Sequence, residues 1–196
     1  HHVAVDLALG HAPGGVVAAD LRDVLAQERH LSGARVVAED GGAVWCWGNG
    51  GAGALADNYY VNRATPVRAM GTAPMSGMRD IVAGSSRACA IDADGGLLCW
   101  GSGAYHALGN GSTISRSIAT RVLDTDGVSP LNDVVMASLG AFHSCAVTDG
   151  GAAWCWGHNH QGQIGNWSGI DWPTPQRVSG AGGLGVLADV VSLAAG

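Results

Sequence analysis

Apolar and polar residues alternate in two short runs along Ser144 to Gly157, SCAVTDGGAAWCWG, and an Asp-Gly-Gly triplet separates them. A period of two puts every second side chain on one face, and glycine supplies the positive φ of a tight turn, so the segment predicts a β-hairpin. The same turn chemistry recurs at Asp40-Gly-Gly and Asp94-Gly-Gly. Upstream of the second and third turns stand apolar runs, DIVA from Asp80 and VVMASL from Val134, that read as a further strand. Downstream, WGHNHQGQIGNWSGIDWPTPQRV is a long glycine-containing connection followed by a strand entered through Pro175, a residue suited to a sheet edge. Each unit therefore predicts four antiparallel strands.

The units are copies. Cys-Trp-Gly begins at Cys46, Cys99 and Cys155, at steps of 53 and 56 residues; an aliphatic residue (Leu55, Leu108, Ile164) follows each cysteine by nine and an arginine (Arg68, Arg121, Arg177) by 22. Gly84 and Gly140 precede their cysteines by 15. Sheets this small cannot cover both faces alone, and repeats of about 50 residues usually solve this by packing radially. The expected fold is all-β: a β-propeller fragment of about three four-stranded blades plus the start of a fourth. One partial propeller domain spans 1–196, with repeats at about 1–79, 80–132 and 133–188, and a further blade opening at 189–196. Ahead of Cys46 the first repeat carries an excess of 21 residues, in which Val17, Leu21, Val24 and Leu25 share a helical face, so a short inserted helix is expected near residues 16–30. The chain starts at His1 without Met and stops at Gly196 within a strand pattern, so both ends read as cuts.

Composition narrows the partners. A formal charge of −6 removes the general attraction for nucleic acid and anionic lipid, so neither is expected. Membrane insertion is not expected either, because the longest apolar stretch, around Val186 to Ala195, is broken by Asp189. All ten basic residues are Arg, which suggests a GC-rich bacterial source.

The run HSCAVTDGGAAWCWGHNHQGQIGN, His143 to Asn166, resembles the regulator of chromosome condensation repeat, in the cysteine-bearing form typical of secreted bacterial proteins. The likeness continues more weakly through CAIDADGGLLCWGSGAYHALGN and EDGGAVWCWGNGGAGALAD, covering roughly residues 36–178. It implies a ring of about seven blades, so the remaining blades of its own propeller are an implied partner. Namesakes of the family act on a small GTPase or chromatin, and no motif here carries that role. The sequence departs from the pattern where Gly162-Gln-Ile-Gly becomes Gly53-Ala-Leu-Ala and His106-Ala-Leu-Gly, and where Val36 stands in the place of a cysteine.

Cys89 with Cys99 and Cys145 with Cys155 are each ten apart and centred on a hairpin turn, so they should oppose one another closely enough for a disulfide. Two disulfides are the favoured reading, with buried free thiols as the alternative; Cys46 is either free and buried or bonded elsewhere. Paired cysteines argue for an extracellular or cell-surface location.

Among possible sites, Gly48-Asn-Gly-Gly-Ala-Gly53 fits the dinucleotide pattern, but no helix pattern follows it. Asp92-Ala-Asp94 and Asp124-Thr-Asp126 resemble the opening of a calcium loop without its remaining ligands. His143, His158 and His160 invite a metal reading, yet fall at variable turn positions, so no metal and no cofactor is expected. Trp47, Trp100 and Trp156 recur at one position of the repeat and should pack the core. Tyr59, Tyr60, Tyr105, Trp167 and Trp172 lie in or beside the long connections, which emerge on one side of a propeller, and form the candidate binding patch. The expected function is a non-catalytic scaffold for an unidentified protein partner. Carbohydrate binding through the aromatic rings is the alternative, followed by a hydrolase or lyase using His143, His158 or His160.

Overall fold

The computed structural model describes residues 34–38, 41–84 and 86–196. The helix expected near residues 16–30 lies outside them. Among the described residues eleven strands form three antiparallel sheets. The first holds β1 (Ala34–Ala38), β2 (Val44–Gly48) and β3 (Arg63–Arg68). The second holds β4 (Met78–Ala83), β5 (Arg87–Asp92), β6 (Leu97–Gly101) and β7 (Arg116–Arg121). The third holds β8 (Val134–Leu139), β9 (His143–Thr148), β10 (Ala153–Gly157) and β11 (Trp172–Arg177). The second and third are the four-stranded blades the pattern predicts. In the first, three strands fall among the described residues.

The hairpins sit where the Asp-Gly-Gly turns placed them. Gly95 has φ +81°, and a Cβ there would lie 2.9 Å from Asp133 Cα, so the turn needs glycine both for its conformation and for the approach of the next blade. Opposed cysteines follow from the register: Cys89 faces Cys99 and Cys145 faces Cys155. Each pair is disulfide-bonded, with Cα atoms 4.1 Å apart. In the first blade Val36 faces Cys46, which is buried and free. Burial, and then the negative charge of Asp57, push the Cys46 thiol up to about 12.

The core lies between the sheets. One cluster joins Val44, Cys46 and Leu55 of the first blade to Ala88, Ala90 and Trp100 of the second; another joins Ile91, Leu97 and Leu108 of the second to Val134, Ala146 and Trp156 of the third. Trp100 and Trp156 are fully buried. Each removes on the order of 200 Å² from water, an upper bound of about 5 kcal/mol at roughly 25 cal/mol per Å². Each indole also donates across the seam at 3.1 Å, Trp100 Nε1 to Ala54 O and Trp156 Nε1 to Ala107 O; both acceptors stand eight residues after their blade's Cys-Trp-Gly cysteine.

A buried arginine adds a polar clamp to the second seam. Arg87 donates to Ala141 O at 2.8 Å, Gly140 O at 2.9 Å and His143 O at 2.7 Å. Burial draws its pKa down to about 10, so the guanidinium stays charged at neutral pH. Residues 189–196, the expected opening of another blade, form no strand. They nonetheless dock as the earlier ones do: Val190 N donates to Gly151 O at 3.0 Å, as Val134 N donates to Gly95 O at 2.9 Å. Among the described residues no helix is long and apolar enough to cross a membrane.

Candidate functional site

The connections after β2, β6 and β10 share one frame. In each, the side chain sixteen residues after the Cys-Trp-Gly cysteine accepts from the backbone N–H four residues after it: Asn62 Oδ1 from Gly50 N at 3.1 Å, Ser115 Oγ from Gly103 N at 3.2 Å, and Asp171 Oδ1 from Asn159 N at 2.9 Å. Left-handed backbone recurs as well. The positions seven after the cysteine, Gly53, His106 and Gly162, have φ of +79°, +63° and +77°. The two turns that depart from the family sequence therefore keep the left-handed position of the third.

On this frame the aromatic residues occupy different situations. The Tyr105 ring, 43% exposed, meets Phe142 of the third blade edge-on at 5.1 Å and His158 at 4.6 Å. His158 contacts His160 at 4.8 Å, and Phe142 is 46% exposed. This run of rings crosses the seam between the second and third blades. Exposed Tyr60 donates its hydroxyl to Ser115 O at 3.3 Å, which links the first blade's connection to the second's. Exposed Tyr59 carries the Arg63 guanidinium over its ring at 5.1 Å. Trp167, 79% exposed with φ +61°, lies instead against Gly183. Trp172 is half-buried over Ile164 and the Cys145–Cys155 pair, donating Nε1 to Ser168 Oγ at 2.8 Å. Trp172 thus packs its blade, and Phe142, which the repeat pattern does not flag, joins Tyr105 at the seam.

The acidic motifs are engaged locally. Asp92 Oδ1 accepts from Gly96 N at 2.7 Å while Oδ2 pairs with Arg121 at 2.6 Å. Asp126 accepts from Val128 N and Ser129 N, each at 2.8 Å, and from Ser129 Oγ at 2.7 Å. Those bonds, Ser129's hydroxyl first, hold its carboxyl below the usual range. Gly48 to Gly53 ends in a single 3-10 turn, Gly51–Gly53, with no helix to receive a phosphate. Of the histidines, His143 is half-buried; burial first, then the charges of Arg87 and His158, keep its pKa below the ordinary imidazole value. His158 and His160 gather with Asp171 rather than with His143.

Models of the regulator of chromosome condensation (RCC1) repeat match residues 78–108, 136–163 and 94–147. The mouse E3 ubiquitin-protein ligase HERC2 is 30% identical over 149 residues, 74% of this chain and 3% of the relative. The Arabidopsis thaliana ultraviolet-B receptor UVR8 is 28% identical over 147 residues, 74% of this chain and 32% of the receptor. Among solved structures, human WBSCR16 superposes with a TM-score of 0.62 at 21% identity over 74% of this chain and 35% of that one. The chain thus spans a third or less of the curated relatives it matches.

Proposed function

The chain carries repeats of the regulator of chromosome condensation family, and from that premise we propose that it is a non-catalytic scaffold whose loop face binds a protein partner. The observation that carries this reading is the cluster of the exposed Tyr105 and Phe142 rings with half-buried His158, built from two blades and fixed by the seam between them. Aromatic side chains supply large contact area at low entropic cost, and a rigid frame lowers the ordering cost of binding. The ligase activity of one relative and the receptor activity of the other are not carried over, because the chain covers 3% and 32% of them.

The same proposal places the chain outside the cell or at its surface, since two hairpin disulfides suit an oxidising compartment. Mass spectrometry of protein taken from its source under thiol-blocking conditions tests this; both pairs found reduced would refute it.

The binding role is tested with Tyr60→Ser, Tyr105→Ser and Phe142→Ser combined, in a chain shown by circular dichroism to keep its fold. Quantitative capture of proteins from the source's surface and medium should fall by about tenfold or more for a specific subset, the loss expected when central aromatic anchors are removed. An unchanged set of captured proteins would sink the reading. Retained protein capture together with lost binding on a glycan array would replace it with carbohydrate recognition.

A further inference from the structure

His158, His160 and Asp171 each bring one potential ligand atom to within 4.8 Å of the other two, and His160 Nε2 lies 3.7 Å from Asp171 Oδ1. We propose that these three side chains bind a divalent transition-metal ion of the zinc class, with a coordination position left open to water. Two imidazoles and one carboxylate are ligands such ions accept, and three protein ligands plus solvent is a usual open arrangement. Tetrahedral zinc sets its ligand atoms roughly 3.3 Å apart. The His160 side chain is mostly exposed, so it has room to turn toward the other two ligands.

The segment is held ready for this. Asn159, between the two histidines, is fully buried: its Oδ1 accepts from Ile164 N at 2.9 Å, and its Nδ2 donates to Ser168 O at 2.7 Å and Ser168 Oγ at 3.0 Å. Its own N–H orients Asp171, and His158 N donates to Phe142 O at 2.9 Å. Both imidazoles therefore project from a fixed stretch of backbone, and the carboxylate is already oriented from behind, as outer-shell bonds orient metal ligands. Gln163 lies 3.0 Å from His158 Nδ1. Ligation through His158 Nε2 needs Nδ1 to keep its proton, so the Gln163 amide must turn its oxygen to the ring, giving up the bond that this oxygen now accepts from Gln161 N at 3.0 Å.

The other blades supply an internal control. Where the third blade has His158, His160 and Asp171, the second has Ser102, Ala104 and Ser115, and the first has Asn49, Gly51 and Asn62. The frame needs only an acceptor at the last of these positions, as Ser115 and Asn62 demonstrate. The carboxylate and both imidazoles exceed what the frame requires, and they do so together in one blade.

The test is zinc binding by the whole chain, measured by isothermal titration with chelator competition and by cobalt(II) absorption. The chain has other histidines, His1 and His2 among them, that zinc could engage, so the readout is the difference between wild type and variants. Wild type should take up one equivalent more than Asp171→Ser and His160→Ala, each of which should weaken the tighter site by about tenfold or more. Asp171→Ser and Asp171→Asn keep the acceptor that the other blades use, so both should fold and both should lose the site. Gln163→Glu should tighten it, because a carboxylate accepts from Nδ1–H without needing to turn. Equal uptake by wild type and folded Asp171→Asn, or a cobalt spectrum unchanged by His160→Ala, would overturn the proposal.

Discussion

The connection after β6 and the one after β10 follow the same path by different means. In the second blade a 3-10 turn of backbone bonds closes the path, with Gly103 O accepting from His106 N and Ala104 O from Ala107 N, each at 3.1 Å, and Ser115 Oγ accepts from Gly103 N at 3.2 Å. A Cβ on Gly103 would lie 2.6 Å from Ile114 O, so that version admits only glycine. In the third blade Asn159 stands at the equivalent position: its carbonyl accepts from Gly162 N at 2.9 Å, as Gly103 O accepts from His106 N, and its buried amide adds side-chain bonds to Ile164 N and Ser168 O. One buried amide thus reinforces a turn that the second blade tightens with a further backbone bond, Ala107 N to Ala104 O, and the residues on either side of it carry imidazoles. A repeat can diversify its surface without altering its frame when one buried side chain supplements the backbone's bonding.

The most damaging way to break this comparison is Asn159→Ala. It leaves the buried Ile164 N–H and the Ser168 carbonyl without their partner, at an expected cost of about 3 kcal/mol, from desolvated groups worth roughly 1–3 kcal/mol each. Thermal and urea unfolding would measure it. A cost below about 1 kcal/mol would mean that the loop is held by something other than this amide.

Comparing the first blade with the others gives the next effect. Val36 faces Cys46 in the register that joins Cys89 to Cys99. Val36→Cys should therefore form a third hairpin disulfide and stabilise the chain by about 2–3 kcal/mol, seen as a rise in Tm that reductant abolishes. A fall in Tm in the oxidised variant would show that the first hairpin departs from its siblings. In the wild type the buried Cys46 thiol, with its pKa pushed up to about 12, should resist iodoacetamide at pH 8 and react once the chain is unfolded. Rapid labelling under native conditions would point to local opening of the first blade.

The cysteine register, the hairpins and the burial between blades were legible because each follows from short-range pattern and exact spacing. Other features escaped because their causes are distant in sequence. Arg87 reads locally as a surface cation, and its three carbonyl acceptors lie 53–56 residues further along. Asp171 gives no sign in sequence of standing beside His158 and His160, because only the return of the loop to β11 brings it there. Phe142 shows nothing until the adjoining blade presents Tyr105 to it. The neighbours that sequence leaves hidden are therefore those supplied by another blade or by the far end of a connection.

The smallest effect tests whether backbone conformation, rather than residue identity, is what the repeats preserve. Seven residues after each Cys-Trp-Gly cysteine the chain is left-handed, with glycine in the first and third blades and His106 in the second. A side chain with a Cβ is disfavoured there by about 1–2 kcal/mol, partly offset by glycine's greater freedom when unfolded. His106 also buries an Nδ1 that has no hydrogen-bond partner. His106→Gly should therefore stabilise by about 0.5–1 kcal/mol. The reciprocal change, Gly162→His, meets no atom within 4 Å and so isolates the conformational cost. It should destabilise by a similar amount. If His106→Gly instead lowers stability, the histidine ring packs against its blade more favourably than its backbone is strained, and the second blade has its own reason for departing from the repeat.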